Sequence, residues 1–156
     1  MTNNYVPVAL LHSRREALLK LLPNSSLCCI LSNTSQFRND DVEYPFRQDS
    51  NFWYFTGLDQ KDLLLLLYKS STGVVEEKIY LMPHSAEQAM WVGEQMDVSR
   101  IQQLSGVHAC EEQSSLAKDI SAYLSDSKHI YANLKLYPAH PIVAVLSTAF
   151  LDKEAL

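Results

Sequence analysis

Only four glycines occur in the chain (Gly57, Gly73, Gly93 and Gly106), and no two are close together. A loop that cradles phosphate needs clustered glycines for close backbone approach, so both common nucleotide-loop types are excluded. Cysteine is scarce as well. Cys28, Cys29 and Cys110 make an odd number, which argues against a disulfide framework. Cys28 and Cys29 adjoin in an apolar run that reads as a strand, so their side chains point to opposite faces and cannot share a metal. Burial among apolar groups keeps such thiols protonated and inert. Long apolar runs are missing: none approaches the roughly 20 residues that span a bilayer. Met1 to Pro7 carries no basic stretch, and Val8 to Leu11 is too short for the core of an export signal. The expected location is therefore cytoplasmic. Positive charge is not in excess either, since 13 Lys+Arg stand against 18 Asp+Glu and leave −5. Neither nucleic acid nor an anionic membrane is expected as a partner.

What the chain does contain is an ordinary globular mixture, 47% hydrophobic and 20% charged over 156 residues. That is enough for one domain with a substantial core, assigned to residues 1–156. His12 to Leu22 reads as a helix with a Ser13–Glu16 capping box and a stop at Pro23-Asn24. Ser26 to Ser32 reads as a buried strand, followed by a polar loop from Asn33 to Asp41. Asp62 to Lys69 holds five consecutive leucines, a short run expected to be a central strand covered on both faces. Glu77 to Met82 is its expected hairpin partner. Helices are predicted at Ser85–Trp91, Val98–Leu104, Ser114–Leu124 and from Ala139 to Leu156, with short strands at Val107–Cys110 and His129–Ala132. Their alternation predicts an α/β fold with three layers, a mixed β-sheet flanked by helices. The last helical pattern reaches Leu156 with no glycine, proline or capping residue, the expectation for a chain that continues.

Chemistry-bearing patterns are few. His12, His84, His108, His129 and His140 include no pair at the spacing of a helical zinc site. A Cys110–His108 couple would need an accessible thiol and an orienting group. Asp40, Asp41 and Glu43 lack the ligand spacing and central glycine of a calcium loop, and read as a solvated run. The segment from Glu43 to Gly57, Glu-Tyr-Pro-Phe-Arg-Gln-Asp-Ser-Asn-Phe-Trp-Tyr-Phe-Thr-Gly, is different. Six of its residues are aromatic, too many for a solvated loop, so most must be buried here or against another surface. Asp49 or Ser50 can cap one helical turn, Phe52 and Phe55 then share a face, and Gly57 can end it. Arg47 and Asp49 are close enough in sequence for a local ion pair.

This aromatic segment, the leucine strand after it, the initial Arg14-Arg15-Glu16-Ala17-Leu18 and the later Glu87-Gln-Ala-Met-Trp-Val-Gly93 together resemble the N-terminal domain of aminopeptidase P. That family comprises the Xaa-Pro aminopeptidases among the "pita-bread" metallopeptidases. The resemblance runs from about Arg14 to Gly93 and weakens afterwards. It implies a ribonuclease H-like, creatinase-type N-terminal domain. It also implies a separate C-terminal catalytic domain, absent from this chain, in which two Asp, one His and two Glu hold two divalent metal ions, typically manganese. None of those ligands falls in this stretch, so no metal and no catalytic residue is expected here, and the chain alone is expected to be inactive. The implied roles are homo-oligomer assembly and shaping the mouth of an active site that takes proline-containing peptides. Trp91 matches the family tryptophan that reaches substrate in a neighbouring subunit. Beside it the chain departs from the family, with Glu94-Gln95 and His84-Ser85 where basic residues and Arg-Asp are usual. The competing expectation is a peptide- or protein-binding module on the same scaffold without catalysis, with a prolidase- or creatinase-type relative as a third.

Overall fold

The computed structural model describes residues 5–39, 42–82, 95–132 and 141–154. In chain order these form α1 (Val8–Leu21), β1 (Ser26–Leu31), β2 (Phe37–Asn39), β3 (Val42–Glu43), α2 (Ser50–Thr56), β4 (Leu63–Lys69) and β5 (Val75–Leu81). There follow α3 (Val98–Ser105), β6 (Ala109–Glu112), α4 (Gln113–Asp126), β7 (His129–Ala132) and α5 (Pro141–Glu154). Five strands make one sheet in the order β6-β5-β4-β1-β7. The three central strands pair antiparallel. Each edge strand joins parallel, β6 beside β5 and β7 beside β1.

The leucine run sits at the centre of this sheet. Leu63 to Leu67 are all fully buried, and the two-residue period of the strand sorts them onto two cores. Leu63, Leu65 and Leu67 join Cys28 and Ile30 beneath Leu19 of α1, Phe52 of α2 and Ile101 of α3. Leu64 and Leu66 join Leu27, Cys29 and Leu31 beneath Leu116 and Ile120 of α4 and Ile142 and Leu146 of α5. The domain therefore has three layers, helices on both faces of a mixed sheet. Burying each leucine contributes about 1.5–3 kcal/mol, so β4 anchors both layers at once. Cys28 and Cys29 lie on opposite faces, as adjacent strand residues must.

Several boundaries differ from the sequence expectation for identifiable reasons. Helix α1 begins at Val8 after Pro7, not at His12. Pro7 is the N-cap, its carbonyl accepting from the Leu10 and Leu11 N–H groups, and Leu11 of the added turn is fully buried. The Ser13–Glu16 capping box is consequently inside the helix and does not form. Ser13 Oγ donates to Leu10 O at 3.0 Å, and Glu16 pairs with Lys20 at 2.8 Å. The loop expected at 33–41 supplies one strand of a short antiparallel ladder, β2 with β3, extended by Tyr44 N–H donating to Gln36 O. Backbone groups make that pairing, and it leaves no side-chain period to read. The strand expected at 107–110 starts two residues later, because Val107 is buried under the sheet face that carries α3. The helix expected at 85–91 lies outside the described residues. Gly106, at φ 72°, closes α3, and any Cβ there would collide with Val8 of α1.

On the α4 side the sheet is tied to the helix by a polar network. Lys78 Nζ of β5 lies 2.9 Å from Glu111 and 3.1 Å from Asp119. Tyr80 and Tyr68 donate to Asp119 and Asp126 at 2.7 and 2.6 Å, and Tyr123 donates to Glu76 at 2.7 Å. Burial works to raise the Asp119 carboxyl, but the hydrogen bonds from Tyr80 and Lys78 outweigh it and hold it below the ordinary aspartate range. The hydrogen bond from Tyr68 lowers Asp126 likewise. Burial first, then the bonds to Asp126 and Glu76, push the phenols of Tyr68 and Tyr123 up to about 12. A depressed carboxyl stabilises the fold above its unfolded value and loses that contribution as pH falls through its folded one. A raised phenol contributes below its unfolded value and loses that as pH rises through the folded one. Thermal midpoints should therefore decline below about pH 4 and again above about pH 10. Asp119→Asn should flatten the acid decline and leave the alkaline one, checked by thermal scans from pH 2 to 11. An unchanged acid limb in that variant would remove Asp119 from the account.

Candidate functional site

The aromatic segment is pinned at both ends by side chains that satisfy backbone groups. Asp49 accepts from Phe52 N–H at 2.8 Å and caps α2, and Gly57, at φ 66°, ends it in the left-handed conformation. Any side chain at Gly57 would press on Leu11 of α1, so glycine serves both the turn and the close approach. Within α2, Thr56 Oγ1 donates to Phe52 O and accepts from Leu58 N–H.

Gln48 is the clasp between this helix and the strands. Its Oε1 accepts from Asn33 N–H at 2.8 Å and Asp49 N–H at 2.9 Å. Its Nε2 donates to Leu58 O at 3.1 Å and Gln60 O at 2.8 Å. One amide thus uses both lone pairs and both hydrogens to join three stretches of chain. Asn33 completes the clasp, donating through Nδ2 to Arg47 O and accepting from Thr34 N–H. Arg47 therefore enters the framework through its backbone carbonyl.

A second tether comes from α1. Arg15 is fully buried. Its Nε donates to Glu77 at 2.9 Å, and its Nη1 to Phe55 O at 2.8 Å and Ser105 O at 3.1 Å. Those carbonyls lie in the last turns of α2 and α3, where helical oxygens have no partner of their own and the helix dipole is negative. A buried cation between two helix C-termini and a carboxylate is well matched. Arg14 reinforces the contact outside, donating to Tyr54 O at 2.8 Å with its guanidinium 4.1 Å from the Tyr54 ring centroid.

What this framework presents is aromatic. Phe52 is buried and Phe55 is half-buried against the core, but Tyr44, Phe46, Trp53 and Tyr54 are 53%, 39%, 41% and 47% exposed. The expectation that most of the six rings must be covered is met inside the domain by two of them, and four face outward. Beside Tyr44 and Phe46 lies a groove of about 280 Å³, walled also by Pro45, Asn33, Thr34, Gln36 and Arg47. Residues on a loop held this firmly by a rigid scaffold are where binding surfaces are commonly built.

The other expected chemistry resolves simply. Burial pushes the thiols of Cys28 and Cys110 up to about 11 and that of Cys29 higher still, so all three are protonated at neutral pH. Cys110 donates to Val107 O, and the Cys110–His108 couple has no activated nucleophile. Glu43 accepts from Ser35 Oγ and lies 3.8 Å from Lys61 Nζ, while Asp40 and Asp41 lie outside the described residues. Trp91 and the Glu87–Gly93 motif lie outside them too. Arg15, Gln48 and Asn33 escaped the sequence reading, although Arg14-Arg15 and Arg47-Gln48 stand inside stretches it singled out.

Known proteins resemble this chain. The family model for the aminopeptidase P N-terminal domain matches residues 11–131. Xaa-Pro aminopeptidase of Haemophilus influenzae is 33% identical over 120 residues, 75% of this chain and 27% of that protein. That of Escherichia coli K12 is 31% identical over 83 residues, 53% of this chain and 19% of the relative. The solved low-pH form of aminopeptidase P from E. coli superimposes with a TM-score of 0.81 and 22% identity, covering 94% of this chain and 33% of that one. This chain thus spans about a quarter of the curated relatives' length, at most 27%. With the buried double-faced leucine strand, the capped aromatic turn and the paired arginines all in place, the chain belongs to the aminopeptidase P N-terminal domain family.

Proposed function

We propose that residues 1–156 serve as the non-catalytic N-terminal domain of a cytoplasmic, manganese-dependent Xaa-Pro aminopeptidase, which removes the residue preceding proline from peptide N-termini. The family match over residues 11–131 carries this reading. The exposed rings of Trp53 and Tyr54 on an otherwise well-packed domain support it, as a surface for a catalytic domain or neighbouring subunit to cover. In this reading the domain assembles a homo-oligomer and borders the active-site mouth, with Trp91 reaching the substrate of a neighbouring subunit.

The two metal ions belong to the catalytic domain. The described residues do not fit such a pair: among them no three His, Cys, Asp or Glu side chains gather as ligands. When bound, the metals supply an activated water and polarise the scissile carbonyl. This domain's share is to position subunits and to border the peptide path. Among the described residues no helix is long and apolar enough to cross a membrane.

A chimera tests the proposal. This chain replaces the matching N-terminal part of the H. influenzae enzyme, and release of the first residue from an Xaa-Pro peptide is measured with manganese. The expected result is an active oligomer, in which Trp91→Ala lowers kcat/KM about tenfold, the equivalent of ~1.4 kcal/mol. An inactive chimera that still folds and binds other peptides or proteins would favour the binding-module reading.

A further inference from the structure

The groove beside Tyr44 and Phe46 carries an inference that does not depend on peptidase function. Its walls combine two aromatic rings and Pro45 with side chains able to donate hydrogen bonds: the Thr34 hydroxyl, the Gln36 amide, the Tyr44 phenol and the Arg47 guanidinium. Among the described residues Arg47 is the sole charged wall residue, and it is exposed. No acidic side chain among the described residues pairs with it. The neighbouring acids are engaged elsewhere, Glu43 by Ser35 and Lys61 and Asp49 by the Phe52 N–H it caps, rather than in the expected pair with Arg47. The backbone below is rigid, because Asn33 and Gln48 fasten it on both sides. An exposed cation on a fastened backbone, with several donors on an apolar floor, is complementary to an anion attached to an apolar group.

We propose that this groove binds the C-terminal carboxylate of a peptide whose last residue is apolar. The chemistry selects a chain end. The groove, about 280 Å³, has room for an apolar side chain together with its carboxylate. A terminal residue offers both groups on one Cα. An internal aspartate or glutamate offers a carboxylate without the apolar side chain, and its chain must leave in two directions. Arg47 supplies the planar donor fork that carboxylates accept in pairs, Thr34 and Gln36 add single donors, and Tyr44 and Phe46 cover the side chain. Capturing a peptide's free end this way is an established recognition mode.

The test titrates the ¹⁵N-labelled 156-residue chain with N-acetylglycylleucine, its C-terminal amide, and N-acetylaspartic acid N-methylamide. The free acid should shift the amide signals of Thr34, Gln36 and Tyr44 with a Kd in the millimolar range, suited to so small a ligand. The C-terminal amide should bind about tenfold more weakly, the loss of roughly one charge-assisted hydrogen bond. Arg47→Gln should weaken the acid about as much and leave the amide's affinity alone, while Arg47→Lys should fall between. Since Arg47 meets the fold through its backbone carbonyl, Arg47→Gln should melt at the same temperature as the parent. The comparison of acid with amide needs no variant at all. Equal affinity for acid and amide, shifts centred elsewhere, or equal binding of the aspartyl compound would overturn the proposal. The chimera described above can fail while these titrations succeed, and the reverse, so the two readings stand or fall separately.

Discussion

Arg15→Met is expected to lower the folding stability of the domain by about 3–5 kcal/mol, the usual cost of removing one member of a buried, hydrogen-bonded ion pair. Methionine fills much of the volume, so the loss is polar in origin. Without the guanidinium, Phe55 O and Ser105 O at the ends of α2 and α3 lose their donor, and Glu77 loses its cation. Each buried polar group left unpaired costs about 1–3 kcal/mol. Arg15→Lys should recover only part of this, because one ammonium cannot reproduce a fork that reaches two carbonyls and a carboxylate. Glu77→Gln should cost less than Arg15→Met, since the Glu77 side chain is 21% exposed and water reaches it. Urea unfolding checks all three, with a shifted midpoint at constant slope as the expected pattern. A loss below about 1 kcal/mol for Arg15→Met would mean that apolar packing holds the three helices without it.

Gln48→Leu should cost about 2–4 kcal/mol, because the leucine keeps the bulk and abandons Asn33 N–H, Asp49 N–H, Leu58 O and Gln60 O together. The effect should be local before it is global. With the clasp gone, residues 33–49 lose their tie to the strand that follows them, and limited proteolysis should cut there first. Gln48→Glu should suffer as well, since a carboxylate has no hydrogens to donate to the two carbonyls. If Gln48→Leu is cut no faster than the parent, the capping of α2 by Asp49 is sufficient and the clasp is redundant.

Legibility from the sequence followed the range of the interactions. Leucines alone would allow a helix, but their short span bounded by turn residues favoured a strand covered on both faces, and the two-residue period then divided β1 and β4 between two cores. The ends of α2 were readable because Asp49 and Gly57 act within three or four residues of the groups they serve. The start of α1 was misread for a related reason. A capping box is also a local signal, but burial of Leu11, decided by distant packing, extended the helix past it. The pairing of β2 with β3 left no trace because it involves few residues and mostly main chain.

The site divides along the same line. The aromatic run stood out by composition, and so did its need for a covering surface. Arg15 did not, because an arginine on an amphipathic helix ordinarily lies in water, and its partners lie 40, 62 and 90 residues away. Gln48 looks like any loop glutamine until the chain folds back to bring Asn33, Leu58 and Gln60 around it. The groove is a product of that same return of the chain, and no spacing rule anticipates it.

The central claim is that this chain holds no peptidase chemistry of its own and contributes a domain to an enzyme whose catalytic part is separate. It is tested most directly by incubating the purified 156-residue chain with an Xaa-Pro peptide and excess manganese, and measuring release of the N-terminal residue. The account predicts a rate indistinguishable from buffer with manganese alone. Turnover that rises with the concentration of the chain and stops on adding a chelator would contradict it.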